Sequence, residues 1–405
     1  MGAGAAGLVA AIFAARAGAR TLLLERTRRG GKKIVVSGGG RCNVLPSVVD
    51  ERRFVTGSSR RLLGRILASW PLPEQRAFFE DDLGVPLALE EDTGKLFPVS
   101  NRATDVRDAL VDGVRAAGAE IRFDTTVRAL APTGERWALT TGDGATVEAG
   151  AVVLATGGLS VPKTGSDGWG LGVARRLGHR MEPLYPALTP LTSDAGPHAA
   201  LAGVSVQGAH VRAPQRRGAF ETSGGFLFTH RGYSGPAVLN VSHLATLARA
   251  SAQPQPVLVQ WTDRDAASWE AALGAPGPGL VATELRATLP TRLADRILAD
   301  AGVPPDRARA DLRRDERRAL VDGLTAFRLP WTGDEGYKKA EVTGGGVNLA
   351  EVHTTTLESR HGPGLFLSGE MLDAFGPIGG YNFLWAWATG RLAGLGAAEH
   401  AARRP

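Results

Sequence analysis

The chain has 405 residues, 43% of them hydrophobic and 22% charged, the balance of a globular protein rather than a disordered or fibrous one. Its formal charge is +6, but only 6 of the 47 basic residues are Lys, and no nucleic-acid-binding module is visible, so a nucleic-acid partner is not expected. A single cysteine, Cys42, excludes an internal disulfide and a cysteine-based zinc site, and with no membrane-length apolar run the expected compartment is the cytoplasm.

The chain begins MGAGAAG, a G-x-G-x-x-G turn made of Gly2, Gly4 and Gly7. Such a turn needs a strand leading in and a helix leading out. The helix is legible over residues 7–17; a central strand of about five to six residues is expected just upstream, so the fold is predicted with its first strand missing. TLLLER (21–26) reads as the next strand and ends in Glu25, eighteen residues after Gly7. A carboxylate there accepts hydrogen bonds from an adenosine ribose. The plain alternative, an Ala/Gly-rich helix start followed by an ordinary strand, leaves Glu25 unexplained.

A basic, glycine-rich stretch, RTRRGGKKIVVSGGGRCNV, reads as a long loop. Helical patterns follow at 58–69, 73–83 and 103–117, then strands at 119–130, 136–141 and 146–149 around a TGDG turn. AVVLATGG (151–158) is a buried strand entering a glycine turn, with a helix near 168–178. Residues 186–262 alternate as short antiparallel strands, 263–330 are helical, and 331–405 return through KKAEVTGGGVNL to a strand, a glycine turn and a terminal helix. The predicted organisation is α/β: a dinucleotide-binding, Rossmann-like domain (1–185 and the return segment) interrupted by a β-barrel-like part (186–262) and a helical part (263–330). No second G-x-G-x-x-G sits in its own strand–turn–helix unit, so a built-in nicotinamide domain is not expected.

Six motifs in order, GAGAAG, KKIVVSGGGRCNV, LATGGLSVPKTGSDGWG, GGFLFTHRGYSGPAVLNVS, KKAEVTGGGVNL and LFLSGEMLDAFGPIGGYNFLWAWATG, resemble a family of bacterial flavoproteins. Its members are known as NAD(P)/FAD-dependent oxidoreductases, aminoacetone oxidases or BaiN-like bile-acid-pathway reductases. The resemblance covers almost the whole chain and is weakest in 187–220 and 263–330. It implies noncovalent FAD, with Gly2, Gly4 and Gly7 at the pyrophosphate and Glu25 at the ribose. Ser37, Gly38, Gly39, Gly40, Arg41, Cys42 and Asn43 would run along the flavin, and Val127 would hold adenine through its backbone. Thr156, Gly157 and Gly158 match a second glycine turn. Gly369 and Glu370 match the acidic motif that meets the ribityl chain, and Gly379, Gly380, Tyr381 and Asn382 match the turn opening the last helix. A helix terminus there favours the negative charge that develops on a reduced flavin.

Three residues are candidates for chemistry. Arg41 can pair with a substrate carboxylate or the flavin carbonyl. Cys42 lies beside Arg41 and near Lys32 and Lys33, surroundings that can lower a thiol pKa, although a packing role is the simpler reading. His230, in FLFTHRGYSGP, is either a near-neutral proton carrier or a hydrogen-bonded structural histidine. Lys338, Lys339 and Glu341 line either the mouth of the inserted barrel or a solvated strand edge. The expected activity is hydride transfer at flavin N5 with a small organic substrate, NAD(P)H being a transient reductant. The alternatives are a non-catalytic flavin-binding or RNA-associated protein that uses the cluster Arg52, Arg53, Arg60, Arg61 and Arg65, or a start-truncated product with impaired FAD binding. Oligomeric state is not legible.

Overall fold

The computed structural model describes residues 1–194, 197–215, 218–250 and 256–403. They divide into two compact units: residues 1–185 with 341–405, and the inserted residues 186–340. Residues 331–340, read from sequence as part of the return, therefore belong to the insert.

In the first unit the helix Ala5–Arg16 is buried along almost its whole length. Its Ala-rich sequence favours helix and leaves a surface smooth enough for close packing. It stops at Gly18, whose left-handed φ of +87° lets Ala19 N reach back to Ala14 O at 3.1 Å. The final helix, Tyr381–Ala402, lies against it. Gly390 and Gly394 face the Ala6 and Ala10 carbonyls so closely that an added Cβ would stand 2.4 and 2.3 Å from those oxygens.

Two parallel strand pairs flank this helix pair in sequence: Leu22–Leu24 with Glu120–Arg122, and Val152–Leu154 with Leu365–Leu367. The first two residues bond to both. Gly2 N donates to Leu24 O at 2.8 Å, Met1 N donates to Val153 O at 2.8 Å, and Ala155 N donates to Met1 O at 3.0 Å. Met1 and Gly2 thus occupy the place of the expected central strand, at the carboxyl ends of its neighbours. A meander, Val127–Thr133, Arg136–Thr141 and Thr146–Ala149, and a second small sheet, Leu45–Pro46, Lys95–Pro98 and Leu87–Glu90, complete the unit.

The inserted unit holds seven strands in one antiparallel sheet, running from Phe327–Arg328 at one edge to Gly333–Asp334 at the other. Only four residues, 329–332, join these edges, a reach of at most about 17 Å, so the sheet must curl until its edges approach. Its core is aromatic: Phe226, Phe228, Tyr233 and Trp261 are buried with rings 5.0–5.9 Å apart. Helices Ala266–Gly274, Val281–Arg286, Thr291–Asp300 and Arg314–Thr325 make up the helical part.

Local readings needed three corrections. The basic loop contains a helix, Lys32–Val36, running into a tight turn at Ser37–Gly40. The stretch read as all strand contains the helix Pro236–Ala250, for which Pro236 after Gly235 was a legible start. The segment 119–130 is two strands, Glu120–Arg122 and Val127–Thr133.

Candidate cofactor cradle in the first unit

The three glycines of the opening turn stand in three different environments. Gly2 adopts a φ of +90°, and an added Cβ would lie 2.5 Å from Ala155 O. Gly7 lets the helix close onto the turn; a Cβ there would be 1.8 Å from Gly2 O. Gly4 has an ordinary φ of −84° and open space where its Cβ would be, so nothing inside the protein demands glycine at that position. It caps a helix with no side-chain cap and no acidic residue in its first turn. Uncapped N–H groups behind an open glycine are a site for an anion that approaches the backbone closely. The residues present therefore fit the pyrophosphate of a dinucleotide.

Glu25 is buried at the end of its strand, with Ala3 N donating to one carboxylate oxygen at 2.7 Å and Thr27 N to the other at 2.8 Å. It thereby pins the glycine turn to the following loop and keeps lone pairs for a ribose hydroxyl. Beyond it lies a recess of about 660 Å³ lined by Arg26, Thr27, Arg28, Arg29, Lys32 and Asp124. Arg26 is held by Asp167 at 2.6 Å, whereas Arg28, Arg29 and Lys32 have no ion-pair partner among the described residues. The Thr27 hydroxyl is buried there with no protein partner. Val127 opens the meander three residues after Asp124, near the recess in sequence but not part of its lining.

The SGGGRCN loop winds through three consecutive left-handed glycines, Gly38, Gly39 and Gly40, at φ of +56°, +68° and +88°. A Cβ at Gly39 or Gly40 would meet nothing, so this loop also presents bare backbone to open space. Ser37 donates to Ile34 O and its carbonyl accepts from Cys42 N at 3.1 Å, which closes the turn. In the amide orientation that satisfies both ends, Asn43 accepts from Gly380 N at 3.0 Å and donates to Leu45 O at 3.1 Å. The glycine loop is thereby tied to the last glycine turn. That turn is braced in addition by Asn382, whose amide exchanges two 2.9 Å bonds with the backbone of Gly376. Gly379 and Gly380 have φ of +122° and +87°, and Gly380 lies against the Leu45–Pro46 backbone. Tyr381 is buried; its hydroxyl donates to Val48 O and accepts from Arg53, both at 2.9 Å.

The densest polar cluster gathers around Glu370. Its carboxylate accepts from Lys33 Nζ at 2.5 Å, Ser160 Oγ at 2.6 Å, Thr343 Oγ1 at 2.8 Å and Thr343 N at 3.0 Å. Burial alone would push this carboxyl up, but the Lys33 ammonium and the hydroxyl donors outweigh it and hold Glu370 below the usual carboxylate range. Thr156, Gly157 and Gly158 lead into the cluster: a Cβ at Gly158 would collide with Thr343 Oγ1 at 2.3 Å, and Thr156 Oγ1 points to Met371 Sδ at 3.3 Å. Gly369, at φ +70°, is fixed by Thr389 and Trp385 from the final helix.

The structure redistributes the three candidates for chemistry. Cys42 is fully buried, and burial pushes its thiol up to about 12, so it packs the core and is no thiolate. Arg41 already has an anion and a ring: Glu90 at 3.0 Å and the Phe97 face at 4.0 Å. His230 belongs to the inserted unit, in an exposed turn between the strands Ala219–Thr229 and Gly232–Ser234. Sequence reasoning missed the partners of Glu370, namely Lys33 as an ion pair, Ser160 and Thr343. It also missed Asp373, which is buried and accepts from Ser58 N, Ser58 Oγ and Thr56 Oγ1. Ser160 and Thr343 lie inside the motifs LATGGLSVPKTGSDGWG and KKAEVTGGGVNL, and their place beside the glycine turns of those motifs was the available signal. No helix among the described residues is long and apolar enough to cross a membrane, and no group of metal-ligating side chains occurs among them.

Comparison with known proteins shows the family and the fold. Residues 1–396 match the model of the HI0933-like protein Rossmann domain. The ribosomal RNA dihydrouridine synthase of Escherichia coli K12 is 34% identical over 96% of this chain and 94% of its own length. The 3-dehydro-bile acid delta(4,6)-reductase of Clostridium scindens is 32% identical over 98% of both chains. Among solved structures, 3-ketosteroid-delta4-(5alpha)-dehydrogenase of Rhodococcus jostii RHA1 superposes with a TM-score of 0.51 at 18% identity, covering 98% of this chain and 95% of the other. The fold is Rossmann-like and FAD-binding.

Proposed function

The chain belongs to the HI0933-like Rossmann-domain family, and from that premise we propose that it is a FAD-dependent reductase of a carbon–carbon double bond conjugated to a carbonyl. The observation that carries the reading is the convergence, within one unit, of the open Gly4 helix terminus, the bare Gly38–Gly40 backbone and the Glu370 cluster. Both similar relatives are named for saturating such a bond, one in the uracil ring of ribosomal RNA and one in a bile acid. A bound flavin supplies two-electron transfer to carbon at its N5.

The chain's own residues supply the rest. Gly2, Gly4 and Gly7 shape the pyrophosphate turn, and Glu25 takes the ribose. Arg28, Arg29 and Lys32 offset negative charge on the nucleotide side. Glu370, held ionised by Lys33, orients the polyol chain between the turns, while Asn43 and Asn382 hold the last helix so that its first N–H groups favour charge on the ring.

One observation bears on the substrate. Arg53 both bonds the Tyr381 hydroxyl and lies 4.9 Å from its ring centroid, so the exposed run Arg52, Arg53, Arg60, Arg61 and Arg65 reaches the turn that opens the last helix. A cationic surface at that turn supports an RNA-borne uracil over a free small molecule. The test is a visible spectrum of the purified protein before and after anaerobic NADPH, followed by addition of unmodified ribosomal RNA or of a steroid dienone. Flavin bands that bleach with NADPH and return on adding one substrate support the reading and identify that substrate. Bands that persist with NADPH but bleach with a primary amine overturn it in favour of an amine oxidase.

A further inference from the structure

Arg41 is the first side chain after the bare glycine backbone, and it is held in place there. Its N–H donates to Gly38 O at 3.3 Å, so the residue is part of the turn itself. The guanidinium lies over the Phe97 ring at 4.0 Å from its centroid, and a Cβ at Gly38 would stand 3.1 Å from Cε1 of the same ring. One buried benzene ring therefore joins the guanidinium to the glycine loop. Arg41 Nη1 donates to Glu90 Oε1 at 3.0 Å, and Thr93 Oγ1 donates to the other carboxylate oxygen at 2.5 Å. Lys95 stands directly opposite Glu90 in the antiparallel pair, on the same face of the small sheet. The row Arg41, Glu90, Lys95 is thus cation, anion, cation, and the carboxylate anchors the guanidinium without cancelling the positive charge of the row. The Arg41 side chain is still 43% exposed, and its Nε and Nη2 groups have no partner among the described residues. The ring and Glu90 suffice to staple the loop; the remaining N–H donors are left over from that task.

We propose that Arg41 binds the carbonyl oxygen of the substrate and stabilises the negative charge that this oxygen gains during reduction. The inference rests on the reading above, that a double bond conjugated to a carbonyl is the substrate. In the step, the carbon β to the carbonyl gains hydrogen with an electron pair from the reduced flavin, which is left oxidised. The former double-bond pair shifts towards the carbonyl and gives an enolate, whose oxygen accepts from Arg41. The α-carbon then takes a proton from water, with hydroxide left in the solvent, and the carbonyl reforms. A uracil ring and a steroid dienone offer the same acceptor, a carbonyl oxygen at the end of the conjugated system. A guanidinium suits it because the group is always charged and is already fixed by ring and carboxylate, so nothing has to reorganise as the charge appears. Lys95 offers a point charge on a flexible stem instead, and Cys42 is buried and inert.

The probe is para-chlorophenol, whose phenolate imitates the enolate and gives a long-wavelength charge-transfer band when it lies on oxidised flavin. Titrated into the FAD-loaded protein it is expected to give that band, and Arg41→Met to weaken its binding about tenfold or more. In single-turnover reoxidation by substrate, Arg41→Met is expected to cut the limiting rate about a hundredfold, while the half-saturating concentration moves far less. Arg41→Lys restores part of the rate. A second measurement needs no variant and so stands even if Arg41→Met does not hold flavin. The wild-type holoenzyme is treated with phenylglyoxal, with and without para-chlorophenol, and the modified arginines are located by mass spectrometry; the phenol is expected to protect Arg41. Three results overturn the assignment and leave the reductase reading standing: no band in the wild-type protein, phenol binding unchanged in Arg41→Met, or Arg41 modified equally with and without the phenol. Loss of the band in Lys95→Met but not in Arg41→Met overturns it in the same way. If the reduced wild-type flavin is reoxidised by neither the ribosomal RNA nor the dienone, the reductase reading fails, and the step fails with it.

Discussion

Glu370 and Lys33 form a half-buried pair whose members are 24% and 17% exposed for Lys33 and Glu370 respectively. Removing one partner from such a pair strands the other in low dielectric, at a cost of about 3–5 kcal/mol. Glu370→Gln is therefore expected to lower thermal stability and to release flavin, and Lys33→Met with Glu370→Gln to recover part of the stability but none of the flavin. The sign of the pH effect follows from the direction of the shift. A carboxyl held below its ordinary value in the folded state stabilises the fold above the pKa of an unfolded glutamate, and that stabilisation is lost as pH falls through the folded value. Urea midpoints measured between neutrality and about pH 3 should fall at the acid end in the wild-type protein, and less steeply in Glu370→Gln.

The opening turn and first helix separate two kinds of glycine. At Gly7 the backbone of Gly2 fills the space a side chain would need, so Gly7→Ala must move either the turn or the helix, an overpacking cost of about 1–3 kcal/mol. At Gly4 the space is open and φ is ordinary, so Gly4→Ala should leave the melting temperature of the flavin-free protein unchanged. What it should lose is flavin affinity, by tenfold or more, measured by fluorescence on titrating FAD. Equal loss of stability in both variants would mean that Gly4 is there for packing and would remove the argument for a pyrophosphate at this helix. The same contrast explains what the sequence disclosed. A spacing of glycines is legible because the backbone geometry that requires it is local, and so are the strand end at Glu25 and the last helix with its glycine turn. The helix Lys32–Val36 was not legible, because KKIVV carries a β-branched run that propensity assigns away from helix and only tertiary packing retains. The helix Pro236–Ala250 was missed although Pro236 marks its start, because its Val and Thr residues continue the strand-like pattern before it.

At the scale of the molecule, the two units were legible as a change of character near Pro186, while the chemistry inside the first was legible only in part. Lys33, Ser160, Thr343 and Glu370 come from four distant segments, and no periodicity links residues that meet only through tertiary folding. The basic sequence neighbours of Cys42 left a lowered thiol pKa open beside the simpler packing reading, and burial, which sequence spacing does not report, raises the pKa and favours packing. Charge distribution is likewise a property of the whole surface. If the substrate is RNA, Arg61→Glu with Arg65→Glu should raise KM for RNA several-fold and flatten its salt dependence, leaving turnover of a steroid dienone unaltered. Equal effects on both substrates would point to a folding defect instead.

The bond between Asn43 and Gly380 and the packing of Gly390 and Gly394 on the first helix join the two ends of the chain across more than three hundred residues. During synthesis the amino-terminal half of the cradle emerges from the ribosome long before the helix that completes it. The nascent chain must therefore hold its opening helix, buried along most of its length in the folded unit, without its partner until residues 381–402 have been made. Flavin affinity is therefore expected only once residues 380–394 are in place, because without them the glycine loop and the first helix lack the contacts that close the cradle.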